Sequence, residues 1–200
     1  VQSNYHSHNL SLLDIGCGNG EFLKLMQNRG WKVNGADPSL VAIRNARKLI
    51  SYKRLKTGKI YNLKFSQKFD AITLWHVLEH EPQPLRLINT LPRLLTNKGK
   101  IILEVPNSDS LLFRLFKKNY NWLMVPEHIF YYSPKSLHYL FSRAGLKIEK
   151  ITYPPRALLN FALSCRKVMP LFSPVMFLLS PVVGIMAAVI RKSEVVRVVA

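Results

Sequence analysis

Apolar and polar positions along the 200-residue chain alternate between two patterns. Leu10–Ile15, Trp31–Ala36 and Lys100–Val105 are short apolar runs bounded by turn residues, as in strands buried on both faces. Glu21–Asn28, Leu40–Ile50 and Leu85–Leu95 read as helices. Asp37-Pro38-Ser39 and Pro82 with Pro84 supply starts, and Gly30 and Asn97-Lys98-Gly99 supply stops. A short third strand is expected at Lys56–Tyr61, and Phe69–His80 reads as a fourth strand running into a helical turn. Further on, Leu111–Lys118 and Lys135–Ala144 are predicted helices, Lys147–Tyr153 a sixth strand and Val195–Val199 a seventh. Strands alternating with helices predict an α/β fold on a mostly parallel sheet.

Two stretches break that rhythm. Ser108–Tyr132 is long for a connection and crowded with Phe113, Phe116, Tyr120, Trp122, Phe130, Tyr131 and Tyr132. Connections of this length tend to be lids or binding loops, and the aromatics suit either an apolar substrate pocket or the core of a small cap. Val168–Ile190 is an uncharged run of about 23 residues, nominally enough to span a bilayer. Pro170, Pro174, Pro181 and Gly184 interrupt it, and Arg166-Lys167 and Arg191-Lys192 flank both ends, so charge favours neither orientation. If Val195–Val199 enters the sheet, both ends of the run lie on one side of any membrane. That leaves an interfacial or re-entrant membrane attachment, or helices packed on the protein's own surface.

Composition then narrows the partners. A 48% hydrophobic content excludes a disordered chain and fits one domain over residues 1–200, with an aromatic lid at 108–132 and an apolar insertion at 157–190. Lys and Arg number 29 against 11 Asp and Glu, a formal +18, which points to an anionic partner: nucleic acid or an acidic membrane surface. For the apolar insertion this charge favours attachment to an anionic membrane surface, through residues 157–192, and nucleic acid is the less favoured partner. Two cysteines form no disulfide framework, and nothing at the N-terminus has the form of a signal peptide. The expected location is cytoplasmic, peripheral at the inner face of the membrane. His6 and His8 fall in a polar segment read as a frayed tail.

The candidate chemistry begins at Leu12–Leu23, where an apolar strand enters a glycine turn and then a helix. Glycines let a ligand lie against bare backbone, and the helix start offers unpaired N–H groups. Dinucleotide folds want G-x-G-x-x-G, but Gly16, Gly18 and Gly20 fall at every second position and Glu21 takes the third glycine's place. A tight strand-to-helix turn with no ligand is the bland alternative. Asp37 stands at the carboxyl end of the second strand, where the ligand crevice of a parallel sheet lies. It can accept hydrogen bonds from ribose hydroxyls, or cap the following helix, or both.

Asp14-x-Gly16-x-Gly18-x-Gly20 resembles motif I of class I S-adenosylmethionine-dependent methyltransferases. Phe69-Asp70, Val77-Leu78-Glu79-His80, Leu94-Leu95 with Gly99, and Trp122 to Ser133 followed by Ala144-Gly145-Leu146 resemble the type 11 and type 23 branch. Ubiquinone-biosynthesis O-methyltransferases are members of it. The resemblance covers roughly residues 10–153. It implies a Rossmann-like fold with a seven-stranded, mostly parallel sheet, an antiparallel last strand and helices on both faces. It also implies S-adenosylmethionine as cofactor and S-adenosylhomocysteine as product. Asp14, Gly16, Cys17 and Gly18 would hold the methionine part, Asp37 and Pro38 the ribose, and Trp75 and His76 would border the methyl and the substrate. No carboxylate occurs between Asp37 and Asp70, where relatives often place one near the adenine amine, so Asn62 or backbone carbonyls would serve. The family commonly carries a helix ahead of the first strand. This chain has little room for one, so it is either a fragment or open on that side.

Two further ideas rest on histidines. His76-x-x-Glu79-His80 would share one face of a helical turn, and with His128 could ligate a divalent metal, as similar turns do in some methyltransferases. The same spacing matches an inverted zinc-protease motif, which needs a continuous helix. The favoured reading is no metal, with Glu79 and His80 capping the turn. Alternatively His76 or His128 is a general base, since a hydroxyl acceptor benefits from a group that takes its proton near neutral pH. The expected function is O-methylation of a small-molecule, lipid-like or saccharide-precursor acceptor. An RNA methyltransferase is a rival, although Leu74-Trp75-His76-Val77 stands where an Asn/Asp-Pro-Pro-aromatic motif would lie. A non-catalytic cofactor-binding, membrane-associated subunit is another.

Overall fold

The seven predicted strands form one sheet in the computed structural model, which describes residues 10–155, 159–168 and 173–200. In chain order the elements are β1 (Ser11–Ile15), α1 (Glu21–Asn28), β2 (Lys32–Asp37), α2 (Leu40–Ala46), β3 (Leu55–Thr57), β4 (Phe69–Trp75) and α3 (Pro84–Thr90). There follow β5 (Leu95–Pro106), α4 (Leu111–Phe116), α5 (Pro134–Arg143), β6 (Lys150–Thr152), α6 (Leu159–Val168), α7 (Ser173–Val189) and β7 (Val195–Val199). The strand order is β3-β2-β1-β4-β5-β7-β6. β1 pairs parallel with β2 and β4, β2 with β3, and β7 pairs antiparallel with β6. This is the sheet the resemblance implied. The tail with His6 and His8, and residues 157–158 and 169–172 of the apolar insertion, lie outside the described residues.

Several boundaries differ from expectation: α2 stops at Ala46 rather than Ile50, α4 at Phe116 rather than Lys118, and β6 spans only Lys150–Thr152; others differ for clear local reasons. β3 is three residues long, because Gly58 takes φ 134° and Ile60–Asn62 closes into a 3-10 turn that buries Ile60. α3 ends at Thr90 because Pro92 cannot donate its backbone hydrogen bond, and Pro92–Leu94 turns before β5 begins at Leu95. Thr96–Gly99 thus belongs to the strand. Pro181, expected to interrupt the apolar run, lies inside α7.

The chain divides into two compact units: Val1–Val77 with Gln83–Leu103 and Ala200, and Leu78–Pro82 with Glu104–Val199. In the first, Leu12, Leu23, Val33, Ile43, Ala46, Leu55 and Ala71 form the core, with Phe22, Met26 and Trp31 packed against it. Asp70 fastens the starts of three strands, accepting from the Ser11 N–H (2.9 Å) and hydroxyl (2.8 Å) and from the Thr96 hydroxyl (3.1 Å). Burial opposes ionisation there, but the Ser11 and Thr96 bonds outweigh it and hold the carboxyl below its ordinary range.

In the second unit Leu112, Tyr120 and Cys165 form a separate core, joined by Phe113, Phe116, Trp122 and Val183. The aromatic stretch therefore supplies the interior of a cap that also takes in α6 and α7. The Tyr120 hydroxyl donates to the buried Glu194 at 2.8 Å. Arg197 of β7 donates to the buried Glu104 of β5 at 2.7 Å.

Candidate functional site

In the first unit the turn after β1 runs Gly16 (φ 73°), Cys17, Gly18 (φ 52°), Asn19, Gly20 (φ 82°). Gly16 and Cys17 both donate to the Ala36 carbonyl, at 2.7 and 3.2 Å, which sets the turn at the end of β2. Gly16 and Gly18 are needed for different reasons. A Cβ on Gly16 would lie 2.4 Å from Val77 Cγ2, so this glycine makes room for the turn after β4. A Cβ on Gly18 would meet nothing within 4 Å, so open space lies over bare backbone, the condition a ligand cradle requires.

Asp37 closes that cradle. Its Oδ2 accepts from the Gly18 N–H at 3.0 Å and its Oδ1 from the Ser39 N–H at 2.8 Å. Ser39 caps α2 by accepting from Ala42 at 3.2 Å, so the carboxylate is positioned between the glycine turn and a helix start. Both roles weighed for Asp37 are compatible, since each oxygen retains acceptor capacity beyond one N–H. The open backbone and the poised carboxylate fit the methionine and ribose parts of S-adenosylmethionine. Pro38 is exposed and Cys17 is buried. Burial, then the charges of Asp14 and Asp37, push the Cys17 thiol up to about 12, which leaves it inert as a nucleophile. Asn62 is exposed in its 3-10 turn.

Asp14 lies 2% exposed beneath the turn, and the Thr73 hydroxyl donates to its Oδ1 at 2.6 Å. Burial pushes this carboxyl up to about 7 against the pull of Thr73, and the charge of Asp37 adds to the rise. The Trp75 ring meets Phe22 edge-on at 5.4 Å between centroids, both half-buried. His76, also half-buried, has φ 55°, a left-handed turn residue directly after β4.

The second unit holds a different cluster. Ligand atoms of Glu79, His80 and His128 all lie within 4.8 Å of one another. Ile129 and Phe130 both donate to the Glu79 carbonyl, at 2.8 and 3.2 Å, which ties the loop bearing His128 to the Leu78–His80 turn. His80 Nδ1 pairs with the Glu127 carbonyl at 2.8 Å; a carbonyl only accepts, so Nδ1 donates, and in the neutral ring Nε2 is the nitrogen that carries a lone pair. Tyr132 reaches the Leu78 carbonyl at 3.4 Å, and its hydroxyl is pushed upward by burial and by Glu79 and Glu81. Two imidazoles and a carboxylate suit a borderline divalent cation. His76 is not a member of this group. Its left-handed backbone breaks the helical turn on which the proposed shared face depended.

Sequence reasoning missed Thr73 and Val77. Thr73 faces Asp14 because the two are register partners in the β1–β4 pairing, and no local pattern reveals a register. Val77 was legible only as part of a turn motif, not as the side chain that excludes a Cβ at Gly16.

A family model described as a methyltransferase domain, type 23, matches residues 2–151. The chain belongs to this family, within the class I S-adenosylmethionine-dependent methyltransferases. It is similar to a ubiquinone biosynthesis O-methyltransferase of Alkalilimnicola ehrlichii, 29% identical over 58% of this chain and 50% of the relative. One of the same name from Pseudomonas aeruginosa is 28% identical over 72% of this chain and 68% of the relative. The chain thus spans about half to two thirds of the curated relatives it matches. Among solved structures, a SAM-dependent methyltransferase from Archaeoglobus fulgidus shares the fold with a TM-score of 0.68, at 20% identity, over 98% of this chain and 87% of that one.

Proposed function

We propose that this chain transfers a methyl group from S-adenosylmethionine to a hydroxyl of a small-molecule acceptor. The observation that carries the reading is the open backbone at Gly18, held by its N–H on the Asp37 carboxylate. The relatives' name, O-methyltransferase, supports oxygen as the acceptor atom. The cofactor, when bound, supplies an electrophilic methyl on a sulfonium and leaves as S-adenosylhomocysteine. Asp37 accepts from the ribose hydroxyls, the Gly16–Gly18 turn receives the methionine part, and Asp14 sits beneath it. Trp75 borders the methyl, and His76 or His128 takes the proton that the acceptor hydroxyl loses.

Calorimetric titration with S-adenosylmethionine tests the cofactor half. Asp37→Ala is expected to weaken binding about a hundredfold, as charge-assisted hydrogen bonds are lost. Unchanged affinity would remove the ribose assignment. For the chemistry, transfer of labelled methyl to a pool of hydroxylated small molecules is measured for His76→Ala and His128→Ala. If both keep the rate within a few-fold, neither is the base.

The convergence of Glu79, His80 and His128 favours a second role for that cluster, as a divalent-metal site. Elemental analysis of protein purified without added metal is the check: a stoichiometric metal lost in Glu79→Gln supports it, and none in the parent protein ends it.

A further inference from the structure

The α6–α7 segment shows an arrangement that its composition alone could not. Along α7, Leu178, Val182, Ile185, Met186 and Val189, with Ile190 just beyond, are 55–78% exposed, recurring at helical spacing on one face. The opposite side is small: Ser180, Gly184 and Ala187 are buried, and Val183 packs on the cap core. A helix serving only its own domain would turn the branched side chains inward. This one turns most of them out.

The charges around it have one sign. No acidic residue occurs between Glu149 and Glu194, while Lys150, Arg156, Arg166, Lys167, Arg191 and Lys192 fall in that stretch. Arg166, Lys167 and Arg191 are exposed at the ends of the two helices. A second copy of the chain would bring these uncompensated cations against one another; an anionic lipid surface would neutralise them.

Geometry excludes a crossing. The 17 residues of α7 extend about 25 Å, against roughly 30 Å of hydrocarbon, and no described helix is long and apolar enough to span it. The Ser193 hydroxyl donates to the Pro154 carbonyl at 2.5 Å, so the segment leaves and re-enters the fold at one point. We infer that the outward face of α7 is a docking surface for an anionic bilayer, lying in the plane of the interface with its apolar side chains among the acyl chains and the flanking cations at the headgroups.

The test is co-sedimentation of the 200-residue chain with vesicles of phosphatidylcholine, with and without phosphatidylglycerol. Binding is expected on the anionic vesicles and to fall as salt rises. Ile185→Ser, Met186→Ser and Val189→Ser together should lower partitioning roughly tenfold or more, through lost apolar burial. Arg191→Gln with Lys192→Gln should lower it by about tenfold on anionic vesicles and leave the neutral ones unchanged. Equal partitioning by the parent and the triple-serine variant overturns the inference. So does a dimer, seen by light scattering, that the same variant abolishes.

A readout independent of folding is Met186→Cys labelled with an environment-sensitive fluorophore, Cys17 and Cys165 being buried. A blue shift on adding anionic vesicles supports docking, and an unchanged spectrum overturns it. Neither assay needs cofactor or acceptor, so failure here is distinct from failure of the methyl-transfer reading.

Discussion

α1 and α7 are helices of one chain that bury opposite sides of themselves. α1 buries Leu23 fully and Phe22 and Met26 in part, and leaves Lys24, Leu25 and Asn28 to solvent. α7 buries serine, glycine and alanine, packs Val183 on the cap core and leaves Leu178, Val182, Ile185 and Val189 outside. α1 finds its apolar partner in its own unit, where the exposed chemistry is the glycine turn and its carboxylate. The outward face of α7 meets no such partner among the described residues of its unit, and cations accompany it. Hydrophobicity along a chain therefore says that a face will be buried, not what will bury it.

The largest expected effect separates the two helices directly. Leu23→Ala should destabilise the chain by about 2–5 kcal/mol in denaturant titration, because it opens a cavity in a closed core. Leu178→Ala, without vesicles, should change stability by no more than about 0.5 kcal/mol. Comparable losses would mean that α7 is as integral as α1, and the contrast would fail.

A smaller effect probes how tightly the first unit closes. Gly16→Ala forces a side chain at φ 73° against Val77 Cγ2 and should cost about 1–3 kcal/mol. Val77→Ala in the same chain should recover part of it, because the remaining Val77 Cβ lies 3.6 Å from the added atom. The double-mutant cycle measures the part due to that clash, and the unrecovered part reports the backbone strain.

A pH-dependent effect distinguishes the charges of the two units. Folded Asp14 titrates near 7, above its unfolded value of 3.8, so the folded state holds an extra proton between those limits. Its contribution to stability is fully present below pH 3.8 and is lost as pH rises through 7, with a slope of at most about 1.4 kcal/mol per pH unit. Melting curves across pH 4–8 should show this slope in the parent and a shallower one in Asp14→Asn. Vesicle binding through Arg and Lys should stay level over the same range. A pH dependence shared by both would erase the distinction.

Much of the first unit was legible because its signals are local. The glycines at alternate positions mark a left-handed turn, and Asp37 closes a short apolar run, so neighbours in sequence carry the geometry. Val195–Val199 was equally clear, a β-branched run with fixed ends that the structure reproduces. What was not legible depends on distant parts. The Asp14–Thr73 pair requires strand register, the end of α3 depends on Pro92 outweighing the apolar pattern, and the outward turn of α7 depends on the cap against which its small residues pack. The His76–Glu79–His80 face failed for a nearer reason: the i, i+3, i+4 rule applies to a helix, and His76 is not helical.

The Ser193–Pro154 bond makes the long segment, topologically, the loop of a β6–β7 hairpin. Closing a loop becomes only slightly less favourable as it lengthens, by about 0.6 kcal/mol for each doubling. The sheet is therefore nearly indifferent to how long that loop is or what its outer surface carries. Variants of this architecture can exchange what they hold on to, through insertions and deletions confined to residues 155–192, while the strands and the glycine turn keep their places.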